Sequence, residues 1–350
     1  MDDDRPDVLL TGLLFYDLVL TGLGGPPTPG EEIWTRGMGC GPGGIANLAV
    51  AASRFGLRTS LATVFGDDFY GEHCRDVLRD QEGVDLSLSR TADGWPTPVT
   101  VSVAYGHDRA LLTHGQEPPY SQDVLMGDPP EARTALVHLE ARPREWLAKA
   151  AASGTQIYGD VGWDPAQEWS PALLDQLALC HAFLPNETEA MAYTRTDSAM
   201  AALGTLSELV PVAVVTRGGD GAIAVDQITG EYAEVAALDT AVLDATGAGD
   251  VFGASFVAAS LGGWPLTERL RFAVLAAGLS VRHHGGALAA PGWYGVARWW
   301  RSQTDPDVRG AYGFLADRIP ADPGRPVHHA PVTPPAPHTS VGPRAFEGTH

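Results

Sequence analysis

Cysteine is scarce. The chain has 3 in 350 residues, Cys40, Cys74 and Cys180, and their wide spacing and odd number furnish neither a disulfide framework nor a zinc-ligand pattern. A reducing, cytoplasmic setting is therefore the expectation. Positive charge is also short: 23 Lys and Arg stand against 43 Asp and Glu, a formal net charge of −20. That balance disfavours nucleic acid or an anionic membrane surface as partner. No apolar run is long enough for a bilayer span, and the opening Met-Asp-Asp-Asp lacks the basic region of a signal peptide. Gly-Lys-Ser/Thr occurs nowhere, which excludes a P-loop kinase. What the chain does have is 44% hydrophobic residues, enough for one large core or two modest ones.

The most informative stretch is Val242-Leu-Asp-Ala-Thr-Gly-Ala-Gly-Asp250, followed by apolar residues over 251–261. An apolar approach, a turn of small residues and then helical spacing predict a loop opening into a helix, stopped by Gly262 and Gly263. Unpaired amides and the positive end of the helix dipole make such a start a site for an anion such as phosphate. Asp250 falls in the first turn. A carboxylate there can take a proton from a hydroxyl while the amides stabilise charge on a transferring phosphoryl group. Taken alone, the same pattern also describes an ordinary helix cap.

Asp244-Ala-Thr-Gly-Ala-Gly-Asp250 closely resembles the C-terminal signature of the ribokinase-like (PfkB) carbohydrate kinases, which more often have Thr at the position of Ala245. The resemblance implies Asp250 as catalytic base and Gly247, Ala248 and Gly249 as anion hole. Residues 37–47, Gly-Met-Gly-Cys-Gly-Pro-Gly-Gly-Ile-Ala-Asn, resemble the family's N-terminal signature, a glycine-rich turn before an Ala-rich helix. Gly43 and Asn47 are then implied as contacts to the acceptor, together with Asp17 at the mouth of the first strand and Glu140 at another strand end. Gly44 stands where ribose-specific members have lysine, which argues against ribose itself. Pro185-Asn-Glu-Thr-Glu189 resembles the Asn-x-x-Glu motif, implying Asn186 at the nucleotide and Glu189 on Mg²⁺ through water. As residues they also spell a capping box. Thr216, Gly218 and Gly221 resemble a loop along the nucleotide phosphates and ribose, and 282–291 resembles the adenine-side loop. Relatives bind a monovalent cation such as K⁺ near the position of Asp244.

Strand and helix patterns alternate from residue 135 onward, which predicts an α/β fold with a mostly parallel central sheet and helices on both faces. Short strand patterns over 17–36 and 97–115 predict a small β-sheet lid. The kinase domain is expected over 6–303, with a short helix near 308–319 leading into a Pro-rich tail within 304–350 too poor in apolar residues to fold. Lid edges can pair between subunits, so a homodimer through the lid is also expected.

The function this implies is transfer of the γ-phosphate of ATP, with Mg²⁺, to a hydroxyl, chiefly a hydroxymethyl, of a small sugar. Three alternatives stand beside it: a nucleoside kinase of the same family, a sugar- or nucleotide-binding regulator without turnover, and a dinucleotide-binding oxidoreductase. The last rests on Gly39-x-Gly41-x-x-Gly44 with Asp67. The short, polar strand before it and the unused 244–250 loop count against that reading.

Overall fold

The structure, a computed structural model, describes residues 5–105, 108–162 and 167–324. Among these residues eight strands form one central sheet, in the order Glu231–Val235, Ala222–Asp226, Val212–Thr216, Cys180–Phe183, Gln156–Asp160, Thr134–His138, Val8–Thr11 and Thr59–Ala62. The six strands from Val212–Thr216 to Thr59–Ala62 run parallel, and the two at the other edge pair antiparallel.

Alternate residues of each strand feed two separate cores, as a strand's period of two requires. Leu10, Leu136, Tyr158 and Val214 face the helices Ile45–Arg54, Ala248–Leu261 and Leu266–Ser280. Leu9, Ala135, Val137, Ile157 and Val215 face Glu145–Ala152, Glu187–Thr194 and Ala199–Ser207. Burial on both faces explains why these strands read as continuous apolar runs.

A second sheet of four strands, in the order Gly37–Gly44, Leu14–Leu23, Val99–Tyr105 and Asp108–His114, forms the lid. The lid differs from expectation in one respect. Residues 32–36, predicted as its return strand, are not a strand, and the glycine-rich 37–44, predicted as a turn, is one. It pairs antiparallel with Leu14–Leu23, Asp17 opposite Gly41. The glycines fit there because the strand lies against the loop at 284–288: Gly37 and Gly39 abut His284, and Gly41 abuts Leu288. Pattern reading takes glycine as a breaker and is blind to such a close approach.

The folded body also runs past 303. Helices Pro306–Ala311 and Leu315–Arg318 follow, and Tyr312 and Leu315 are buried in the core with Trp264, Phe272 and Trp299. The rest of the expected tail, 325–350, lies outside the described residues, as does the lid turn at 106–107.

Candidate active site

Helix Ile45–Arg54 begins where the lid strand ends, and Ile45 N donates to Leu13 O at 3.0 Å. This places Asn47 in the first turn, buried, facing the first turn of helix Ala248–Leu261. Across that gap Asn47 Nδ2 donates to Asp250 Oδ2 at 2.9 Å. Asn47 Oδ1 is buried without a hydrogen-bond partner among the described residues. The turn entering the second helix passes close over Asn47: Gly247 has φ +73°, and a Cβ on it would lie 3.1 Å from Asn47 Cγ. A side chain there would be both strained and in collision. No side chain caps this helix start; Ala248 N donates to the backbone at Ala245 O at 3.3 Å, and the amides that follow it are those a helix start offers to a ligand.

Asp17, also buried, comes from the lid. It leaves no room for a side chain at Gly43, where a Cβ would fall 1.9 Å from Asp17 Oδ2. Asp17 and Asn47 meet at Gly286, whose own Cβ position would lie 3.1 Å from Asn47 Oδ1, 3.4 Å from Thr246 Cγ2 and 3.6 Å from Asp17 Oδ2. The structure thus brings together Asp17, Gly43, Asn47, Gly247 and Asp250, residues drawn from the lid and from two helices.

Two groups at this site escaped the sequence reading or were left without a role in it. His138, the last residue of a central strand, puts Nε2 3.6 Å from Asp250 Oδ1. An ionisable residue two positions before Glu140, at the C-terminal end of a parallel strand, was the available signal. Asp160, opposite His138 in the sheet register, is the second. Burial pushes its carboxyl well above the usual range, and the negative charges of Glu189 and Asp250 push further. Asp250 is raised too, by burial, while His138 and the Asn47 amide pull it back.

Behind the helix start lies a cavity of about 480 Å³, lined by Thr216, Gly218, Gly221, Ala248, Gly249 and Gly278 among others. Thr216, Gly218 and Gly221, predicted for the nucleotide, and Ala248 and Gly249, predicted for the anion hole, thus line one cavity, while Asn186 and Gly247 are not part of its lining. Asn186 bridges to Thr216 at the neighbouring strand end. Its side chain accepts from Glu189 N at 3.0 Å and Glu189 Oε2 accepts from Asn186 N at 2.9 Å, so the capping box is formed. Burial raises the Glu189 carboxyl while those Asn186 bonds oppose the shift. Asp244 is a buried fastener: Oδ1 accepts from Thr246 N at 2.9 Å and Oδ2 from Gly285 N at 3.2 Å.

Glu140 is not brought to this group. It is exposed, accepts from Gln122 Nε2 at 2.9 Å, pairs with Arg144, and lines a separate hollow of about 320 Å³ with Leu13 and Tyr120. The loop expected on the adenine side, 282–291, follows directly on Val281 of the cavity wall but contributes no lining residue itself; Gly286 faces Asp17 and Asn47 instead.

A family model described as pfkB family carbohydrate kinase matches residues 5–292. The chain belongs to this family. A nucleoside kinase of Methanothermobacter thermautotrophicus is 27% identical to the kinase over 293 residues, covering 81% of this chain and 92% of that one. A ribokinase of Haemophilus influenzae is 28% identical over 278 residues, covering 75% and 88%. Among solved structures, Arabidopsis thaliana ribokinase complexed with ribose and ATP superposes with a TM-score of 0.67 at 24% identity, covering 84% of the kinase and 98% of that chain. The enzyme is thus a sugar or nucleoside kinase with the ribokinase fold. The oxidoreductase reading falls with this result. Its glycine fingerprint lies within a lid strand packed against 284–288 rather than at a phosphate-binding turn.

Proposed function

We propose that this kinase transfers the γ-phosphoryl group of ATP to a hydroxymethyl hydroxyl of a small sugar, with Asp250 as general base and Gly247, Ala248 and Gly249 as anion hole. The observation that carries the reading is the position of Asp250: hydrogen-bonded to Asn47 on one side and next to Ala248 and Gly249 of the 480 Å³ cavity on the other. Asp17 and the unpartnered Asn47 Oδ1 are the groups to hold acceptor hydroxyls, and Gly43 leaves the room for them. Asp250 takes the proton of the attacking hydroxyl as the new O–P bond forms. The bond from the γ-phosphorus to its bridging oxygen breaks, and ADP leaves. The open amides of the helix start face the negative charge that spreads over the phosphoryl oxygens. Thr216, Gly218, Gly221 and Asn186 are assigned to the nucleotide.

Glu189 offers a hard oxygen donor, with the Asp160 carboxyl near enough to feel its charge, while Asp250 is left to act as base. The described residues form no ready-made cluster of metal ligands. That donor set fits Mg²⁺, which keeps several waters and needs one or two carboxylates, with Glu189 acting through water. When bound, Mg²⁺ supplies positive charge to the nucleotide phosphates. Potassium at Asp244 is a separate proposal, read by replacing K⁺ with choline in the assay. The lid's outer strand exposes Leu111 and Leu112, which supports pairing of two copies through it.

A nucleoside acceptor is the second reading. It is supported by a relative that is a nucleoside kinase. An ATP-consumption screen over pentoses, hexoses and nucleosides, with phosphorus NMR of the product, separates the two. Turnover of no acceptor, with sugar or nucleotide still bound, would instead support a silent regulator.

A further inference from the structure

Helix Ile45–Arg54 carries Asn47 in its first turn and Arg54 in its last. The Arg54 side chain is 9% exposed and its partner Glu82 10%. Every guanidinium nitrogen is engaged. Nε donates to Glu82 Oε2 at 2.8 Å and Nη2 to Glu82 Oε1 at 2.6 Å. Nη1 donates to two backbone carbonyls, Leu288 O at 2.9 Å and Ala290 O at 2.7 Å. A buried ion pair is a poor way to gain stability, since desolvation offsets most of its attraction. Its value lies in the fixed fork of the guanidinium, which sets the position of whatever it holds.

What it holds is the loop that walls the acceptor residues. Gly285 N is fastened to Asp244 at the loop's start. Gly286 then lies against Asn47, Thr246 and Asp17, and the Leu288 side chain against Gly41 of the lid strand. Leu288 O and Ala290 O close the loop on Arg54. Gly292 also lies close to Arg54, with a Cβ position 3.1 Å from Arg54 Cβ, and Trp293 Nε1 donates to Phe55 O at 2.9 Å. None of residues 283–290 lines the cavity assigned to the nucleotide.

We infer that Arg54, held by Glu82, is a positioning residue for the acceptor: by fixing the carbonyls of Leu288 and Ala290 it sets where this loop meets Asn47, Asp17 and the lid. The inference rests on the acceptor site proposed above. A misplacement of about 1 Å at such a wall is enough to cost on the order of 100-fold in turnover, while the nucleotide cavity, whose lining ends at Val281 before the clamped carbonyls of 288 and 290, is disturbed less.

The test uses the full chain and the best acceptor from the screen, with Arg54→Ala, Arg54→Lys and Glu82→Gln. For Arg54→Ala the expected result is an acceptor KM raised at least about 10-fold with kcat reduced, while the KM for ATP stays within about threefold. Millimolar ethylguanidinium should restore the acceptor KM of Arg54→Ala, and Arg54→Lys should fall between it and the parent. Hydrogen exchange gives a second reading: amides 285–290 should exchange faster in Arg54→Ala with Thr134–His138 and Gln156–Asp160 still protected. If no acceptor is turned over by the parent chain, the proposed function fails, and the exchange pattern alone decides the clamp. An unchanged acceptor KM with unchanged exchange at 285–290 overturns the inference. So does an equal rise in both KM values with exchange raised along the whole chain. Should Arg54→Ala not yield folded protein, Arg54→Lys and Glu82→Gln decide by the same KM split.

Discussion

Asn47 and Asp250 are 203 positions apart in sequence, and the amide of one donates to the carboxylate of the other at 2.9 Å. The bond ties the first turn of one helix to the first turn of another, so the group proposed to orient the acceptor and the group proposed to deprotonate it share one frame. Hydrogen bonds to a charged group contribute about 1.5–3 kcal/mol. Asn47→Ala should therefore lower kcat/KM for the acceptor by roughly 10- to 100-fold and leave the KM for ATP nearly unchanged. Steady-state kinetics with each substrate varied in turn checks this.

The pH profile should report Asp250 and its neighbours. Burial raises its carboxyl above the ordinary value, and His138 and Asn47 oppose that rise. Asp250 must be ionised to act as base, so activity should fall on the acid side, with a limb at higher pH than an ordinary aspartate would give. Protonated His138 favours the carboxylate, so His138→Gln removes a stabilising charge and should move the limb to higher pH. The Asp250 charge in turn helps raise the Asp160 carboxyl. An acid limb that stays put or moves down in His138→Gln would remove His138 from the account.

Asp160 should cost the fold stability at neutral pH. Its folded-state carboxyl titrates well above the ordinary value, by burial first and by Glu189 and Asp250 second. The folded chain therefore holds this proton more tightly than the unfolded chain, and stability is lost as pH rises through the folded-state pKa. Asp160→Asn removes the charge. Its Tm should exceed that of the parent at pH 8, and the difference should shrink as pH falls. Scanning calorimetry across pH 5–8 checks the sign, and a parallel assay should show activity reduced.

Gly43→Ala tests the lid side of the site. The added methyl would sit 1.9 Å from Asp17 Oδ2, so Asp17 or the strand must move. The acceptor KM should rise by at least about 10-fold, the order of loss a displaced contact produces. Binding of a non-hydrolysable ATP analogue, followed by calorimetry, should be unaffected.

Much of this was legible in the chain. The strands of the central sheet announced themselves because burial on both faces makes them apolar throughout, as in 212–215. The helix start that carries Asp250 was legible because small residues followed by helical spacing mark it, while the role of base came only with the family resemblance. Gly37–Gly44 was not, because its strand character comes from pairing with Leu14–Leu23 and from the loop packed behind it. Glu140 was assigned to the acceptor from its place at a strand end, and only the side-chain contacts show it turned to Arg144. His138 and Arg54 act across the fold, and no local pattern marks a residue whose partners lie more than 100 positions away.

The central claim is that Asp250 removes the acceptor's proton. Single-turnover kinetics of Asp250→Asn against the parent, with substrate affinities measured alongside, test it most directly. The account predicts retained binding of ATP and acceptor, with the phosphoryl-transfer rate lowered by at least about 1,000-fold, near the upper part of what general-base loss produces. A transfer rate within about tenfold of the parent, at unchanged affinity, would contradict it.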